Sequence, residues 1–264
     1  MTVSYFLKAA QIQFKRAVST AIRWLHCKKM KDGFEMELET SECGQAQLAK
    51  NRTIEPLTAK LFQRLLASDD VYVDIGANVG FHTLLARSRI GSSGQVIAVE
   101  PLPYNGDRLL RNWLVNGWSN LSLYVAACGR EDGLCRLPNQ SLFDTTRLSR
   151  VEDLRGAGQP QEYVVSALRL EAILNREAVK KIKLLKIDVE GYELEVLEGL
   201  GNAFPLVENL IVEILSADEK HRATQKAIVT LLRTNGYELR DVLGNPWDLG
   251  NPLCENNLWA AKPR

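Results

Sequence analysis

Five carboxylates stand at or near the ends of apolar runs. They are Asp74 in VDIGANVG, Glu100 in VEP, Asp188 and Glu190 in KIDVEG, and Glu213 in LIVEI. The first has the most legible surroundings. Val71, Tyr72, Val73 and Ile75 make a short β-rich run. Gly76, Asn78 and Gly80 follow in a loop that tolerates positive φ, and Leu84 and Leu85 suit a helix after it. Strand, Gly-rich loop and helix together bring backbone N–H groups to a nucleotide-like ligand. A carboxylate at the strand end would repel a pyrophosphate, so Asp74 argues against a dinucleotide fingerprint. It suits a ligand with an ammonium, a sulfonium and no phosphate, namely S-adenosylmethionine (SAM), and is expected to carry most of the affinity for it. Glu100 ends the next apolar run, at about the spacing of a ribose-binding acid. The candidate cofactor residues are therefore Asp74, Gly76, Ala77, Asn78, Gly80, Glu100 and Pro101. Ala126 and Ala127 join them as small side chains leaving room for an adenine, with ordinary packing as the alternative. An α/β domain with a Gly turn and no ligand is the plainer reading of the loop.

These residues need a scaffold, and alternating strand and helix patterns supply one. Helices are expected over 53–68 and 105–116, the latter closed by Asn116-Gly117. Residues 121–129 read as a third strand, 182–187 as a fourth ended by Asp188, and 210–215 as a fifth. Residues 168–175, 193–200 and 223–234 look helical, and YELRDV and NNLWAAKP close the chain as an antiparallel pair. The fold class that follows is α/β, a doubly wound, mostly parallel sheet with an antiparallel edge. In such a sheet ligands bind where the strand order reverses beside the first strand. If the fourth strand is the first strand's other neighbour, Asp188 projects into the crevice of Asp74 and Glu100 and faces the reactive end of the cofactor. Residues 130–161 read as an irregular polar insertion, with a short hairpin around 134–137.

The 264-residue length and 45% apolar content fit one large α/β domain with an N-terminal extension. The expected division is 1–50 and 51–264. The extension predicts a basic amphipathic helix, with Phe6, Phe14, Trp24 and Leu25 on one face and Lys8, Lys15, Arg16 and Arg23 on the other. It is expected to lie on the main domain. Weak contact with an anionic membrane surface is the alternative. A net charge of +1 gives no case for a nucleic-acid partner. Five Cys, an odd number without a CxxC pair, indicate neither a disulfide framework nor a zinc site, so a reducing cytoplasm is the expected home. No run approaches 18 apolar residues.

DIGANVG, VEP, KIDVEGYELEVLEG and LIVEI, in this order and spacing, resemble the FkbM-type SAM-dependent methyltransferases. The resemblance covers about residues 53–263. The chain departs at Ala167-Leu168-Arg169, where that family often has Thr-Leu-Asp, and at His82, where an aromatic is common. The resemblance implies a seven-strand class I methyltransferase fold, Rossmann-like, and O-methylation of a hydroxyl on a sugar, glycan or related natural product. It carries Asp74, Gly76, Asn78 and Gly80 to the cofactor loop, Glu100 to the ribose, and Asp188, Glu190 and Glu213 to the reaction centre. A hydroxyl is a poor nucleophile until its proton is leaving, so a general base helps. Asp188 has the best position by topology, with Glu190, His82 and Glu213 as the other candidates. Glu190 could instead cap the following helix, and His82 could be structural. Asp188 with Glu190 or Glu213 could hold Mg²⁺, but no further Asp/Asn cluster supports this and no metal is expected. The rival classes are an NAD(P)-dependent oxidoreductase and a non-catalytic scaffold of the same fold.

Overall fold

The computed structural model describes residues 27–38, 43–138, 162–214 and 219–263. Residues 1–26, where an amphipathic helix is expected, and residues 139–161 of the insertion lie outside the described residues. The chain enters through a hairpin of β1 (Cys27–Lys29) and β2 (Glu35–Glu37), then α1 (Cys43–Asn51) and α2 (Pro56–Leu65). Next come β3 (Val71–Ile75), α3 (Phe81–Ile90), β4 (Gln95–Val99), α4 (Pro103–Val115) and β5 (Leu121–Tyr124). A small excursion follows, built of β6 (Ala127–Gly129), β7 (Gly133–Pro138) and β8 (Glu162–Arg169). The second half runs through α5 (Leu170–Arg176), β9 (Leu184–Ile187), α6 (Glu193–Glu198), β10 (Asn209–Glu213), α7 (Glu219–Thr234), β11 (Glu238–Asp241) and β12 (Asn257–Ala261).

The main sheet has seven strands in the order β11-β12-β10-β9-β3-β4-β5. β5, β4, β3, β9 and β10 are parallel, and β12 is antiparallel to both its neighbours. The order reverses between β3 and β9, which are adjacent as the topology argument requires. Alternation along the strands sends side chains to two helical layers. Val73, Ile75, Ile97, Val99, Leu185, Ile187 and Val212 pack on one face, against α5, α6 and α7. Tyr72, Val96, Leu184 and Ile211 pack on the other, against α2, α3 and the hairpin residues Met30, Phe34 and Met36. Residues 27–38 thus share a core with the main sheet. Full burial of one such aliphatic side chain is worth about 1.5–3 kcal/mol, so the two layers hold the crevice rigidly between them.

Several elements differ from the sequence expectation, each for a local reason. Residues 121–129 are not one strand. β5 leaves the main sheet after Tyr124, and β6 pairs instead with β8 in a separate three-stranded sheet ordered β6-β8-β7. Residues 134–137 do not make a short hairpin of their own: they lie within one strand, β7, which pairs antiparallel with β8, and β8 continues to Arg169, so the helix begins only at Leu170. Residues 43–51, for which the sequence predicts no element, are helical. The antiparallel strand is not the edge. β12 carries the buried Leu258 and Ala260 and takes the interior place, while β11, with Glu238, Arg240 and Asp241, suits solvent at the rim.

Candidate functional site

The acids share one face because they share a parity. Asp74 alternates with Tyr72, Glu100 with Val96 and Ala98, Lys186 with Leu184, and Glu213 with Ile211. All therefore project to the α2–α3 side at the carboxyl ends of adjacent strands. Asp188 continues that side beyond β9.

The first loop is folded onto itself. Gly76 and Ala77 N–H donate to the Val99 carbonyl, Asn78 N–H to Glu100 Oε2 (2.9 Å), Val79 N–H to Asn78 Oδ1, and Gly80 N–H to the Ala77 carbonyl. This corrects the expectation that the loop offers its N–H groups to a ligand. Gly76, at φ 83°, lets the loop cross β9 closely, since a Cβ there would lie 1.8 Å from the Asp188 carbonyl oxygen. Glu100 holds the loop and the start of α4 together. Its Oε1 accepts from Leu102 N–H and Asn105 Nδ2, and burial pushes its pKa up to about 7 despite these bonds. Asp74 is only 1% exposed, and its Oδ2 accepts from the Thr83 hydroxyl at 2.6 Å. Asp74 thus lies at the floor of the crevice, tied to α3 through Thr83. Burial raises its pKa, against the pull of Lys186 and Thr83.

The second turn is built around Lys186. Its side chain is 2% exposed, and Nζ donates to Asp188 Oδ2 at 2.6 Å. Burial opposes the ammonium, but Asp188, Glu55 and Asp74 outweigh it and hold the charge. Burial likewise opposes the Asp188 carboxylate, and Lys186 overcomes it, so Asp188 sits below its ordinary range. Glu213 faces Asp188, and burial together with the Asp188 and Glu190 charges drives its pKa up. Carboxylate oxygens of Asp188, Glu190 and Glu213 all lie within 4.8 Å of one another. Glu190 (φ 55°) and Gly191 (φ 105°) turn the chain in successive left-handed conformations. Glu193, the first residue of α6, ties this turn down by accepting from the N–H groups of Val189 and Gly191.

His82 lies in the layer beneath. Its ring packs against Phe62 and Phe81, with Nε2 3.5 Å from Glu55 Oε2. Burial and then Lys186 hold it well below the usual imidazole range, so it is neutral. Glu55, at φ 44° ahead of α2, also accepts from Asn257 Nδ2. Of the remaining candidates, Ala126 is buried, Ala127 packs with Leu137 and Val165 beneath the small sheet, and Pro101 is half-buried behind Glu100. Lys186, Glu193 and Glu55 are absent from the sequence candidates. Lys186 carried a signal: a lysine inside the apolar run LLKIDV must find a buried counter-charge. Glu55 carried none, because its partners come from β9, α3 and the C-terminal segment.

The donor set decides what fits. With the loop N–H groups spent and the buried Lys186 ammonium already balanced by Asp188, Glu55 and Asp74, a pyrophosphate finds no complement. A ligand with a sulfonium, an ammonium and a ribose does. Glu100 Oε2 accepts one N–H and keeps a lone pair for a ribose hydroxyl, and the bare Gly76 backbone leaves the crossing clear. Comparison with known proteins agrees. The profile of the family described as "Methyltransferase FkbM domain" matches residues 74–239. "Methyltransferase 1" of Beauveria bassiana is 28% identical over 185 residues, covering 64% of this chain and 72% of its own. The "31-O-demethyl-FK506 methyltransferase FkbM" of Streptomyces tacrolimicus is 27% identical, covering 65% and 74%. The "Hexuronic acid methyltransferase AglP" of Haloferax volcanii is 28% identical over 146 residues, covering 55% and 56%. Crevice, strand order and matching profile together place this chain in the FkbM family of SAM-dependent methyltransferases, with the seven-strand class I fold.

Proposed function

We propose that the protein methylates a hydroxyl on a sugar, a glycan or a related natural product. The observation that carries this reading is the Asp188–Glu213 carboxyl pair at the switch point, with Lys186 on one side and the Gly loop beside it. When bound, SAM supplies a methyl group made electrophilic by its sulfonium. Glu100 would take the ribose, and the Asp74–Thr83 contact would keep the loop and α3 in place. Asp188 accepts a hydrogen bond from the acceptor hydroxyl and orients its oxygen. Lys186 keeps Asp188 ionised, so Asp188 polarises the O–H well but retains a proton poorly. Glu213, kept protonated by its raised pKa, shares its proton with Asp188, so the pair starts with one proton and one charge; the proton leaving the hydroxyl passes to Asp188 as the C–O bond forms, and Asp188 then releases it to water at the crevice opening. Such assistance is worth about 10²–10⁴ in rate. Two relatives support an oxygen acceptor: one is named for a hexuronic acid, the other for 31-O-demethyl-FK506.

The test is transfer of a trideuteromethyl group. Purified protein and labelled SAM are incubated with glucuronic acid glycosides, neutral methyl glycosides and macrocyclic secondary alcohols, and products are read by mass spectrometry and NMR. An O–CD₃ product is expected. Transfer only to the uronate carboxyl, giving an ester, or saturable SAM binding with no transfer to any member, overturns the reading; the second outcome would favour the scaffold.

A further inference from the structure

We propose that Lys186 is a positioning residue for the transfer, a buried ammonium that fixes the Asp188 carboxylate in place for the acceptor. This rests on the role given to Asp188 above. The geometry is specific. Lys186 and Asp188 are two residues apart at the end of β9, so strand alternation puts both on one face. Asp74 stands directly opposite Lys186 in the β3–β9 register, and Glu55 acts on the same ammonium from ahead of α2. A lysine side chain has about 2 kcal/mol of rotamer freedom to lose, and here acids of three elements take that freedom away. The charge-assisted bond of 2.6 Å then restrains Asp188, whose own side chain remains 25% exposed toward the crevice. A buried ammonium is costly to maintain and contributes little to stability by itself. What it does here is compensate a carboxylate at the place where a cationic cofactor and a neutral hydroxyl must meet.

The groups around the pair set what a titration reads. Asp74 and Tyr72 face it from β3, His82 from α3, and Glu55 from the start of α2. Glu213 faces it from β10, and Glu190 and Glu193 from the turn after β9. His82 is neutral and Glu213 holds a proton near neutrality, so Lys186 is the cation responsible for the ionised Asp188.

The experiment follows the Asp188 carboxyl by ¹³C NMR in protein labelled at the Asp carboxyl carbons, without cofactor or acceptor, its signal identified by loss in Asp188→Asn. In the parent the midpoint should lie below the ordinary ~3.9. In Lys186→Met it should rise by about 1–3 pH units, the usual effect of removing an adjacent opposite charge, and Lys186→Arg should bring it back down. SAM affinity by calorimetry should change less than tenfold in Lys186→Met. Turnover should fall at least tenfold in the parent background and less than twofold in the Asp188→Asn background. An unchanged Asp188 midpoint in Lys186→Met, or an equal fall in both backgrounds, overturns the proposal. If Lys186→Met fails to melt cooperatively, the parent decides, and a midpoint at or above ~3.9 overturns it. A shifted midpoint together with full turnover by Asp188→Asn would instead overturn the role of Asp188 and leave the Lys186–Asp188 restraint standing.

Discussion

Asp74 and Asp188 end neighbouring parallel strands, point to the same face and share one lysine, yet their chemistry is opposite. Asp74 is 1% exposed, contacts Thr83 and feels Lys186 through space, so burial wins and its pKa rises. Asp188 is partly open to the crevice and bonded directly to Lys186, so the ammonium wins and its pKa falls. The turns that follow diverge in the same way. After Asp74, the loop spends its N–H groups on Val99, Glu100 and itself. After Asp188, the turn is tied by Glu193 from its own helix, which leaves Asp188, Glu190 and Glu213 clustered at the opening. One side of the switch point is closed by its own hydrogen bonds, and the other leaves its acids at the opening.

The sharpest way to break this comparison is to make the same change on both sides. Asp188→Asn keeps shape and removes charge, and turnover should fall about 10²–10⁴-fold with SAM affinity altered less than tenfold. Asp74→Asn should leave turnover within tenfold and instead lower stability by about 1–3 kcal/mol in urea unfolding, the cost of disturbing a buried polar pair. Equal kinetic losses in the two variants would erase the distinction. A smaller effect concerns Glu213. Its folded pKa is raised, so the stability linked to it is fully present below its unfolded value, ~4.3, and is lost as pH rises through the raised one. Parent protein should therefore lose stability from pH 5 to pH 9, by at most about 1.36 kcal/mol per pH unit from this group, and Glu213→Gln should lose less. Parallel curves for the two would place the proton elsewhere. The smallest expected effect is that of EDTA. With Lys186 already balancing Asp188, turnover should stay within about twofold of untreated enzyme, a change worth less than ~0.5 kcal/mol. A loss restored by Mg²⁺ or Mn²⁺ would make Asp188 a ligand rather than an acceptor of the hydroxyl proton.

Much of this was legible in the chain. Apolar runs ending in acids located β3, β4, β9 and β10, because a strand buried on both faces must be apolar and can admit charge only near its end or against a buried counter-charge. The reversal of strand order beside β3 followed from the alternation of helix and strand, and it brought Asp188 to Asp74 and Glu100. The break between β5 and β6 was not legible, since 121–129 is continuous in pattern and only pairing with β8 divides it.

Sequence alone determined the residue types and their parity and narrowed the order of the strands, because alternation and right-handed crossover connections leave few ways to arrange them. The tertiary structure decided which acid is ionised. Protonation depends on burial and on distances between groups far apart in the chain. Glu55 reaches Lys186 across the whole first half of the fold, and Glu213 meets Asp188 from another strand. A sequence names these charges but does not say how much water each one keeps.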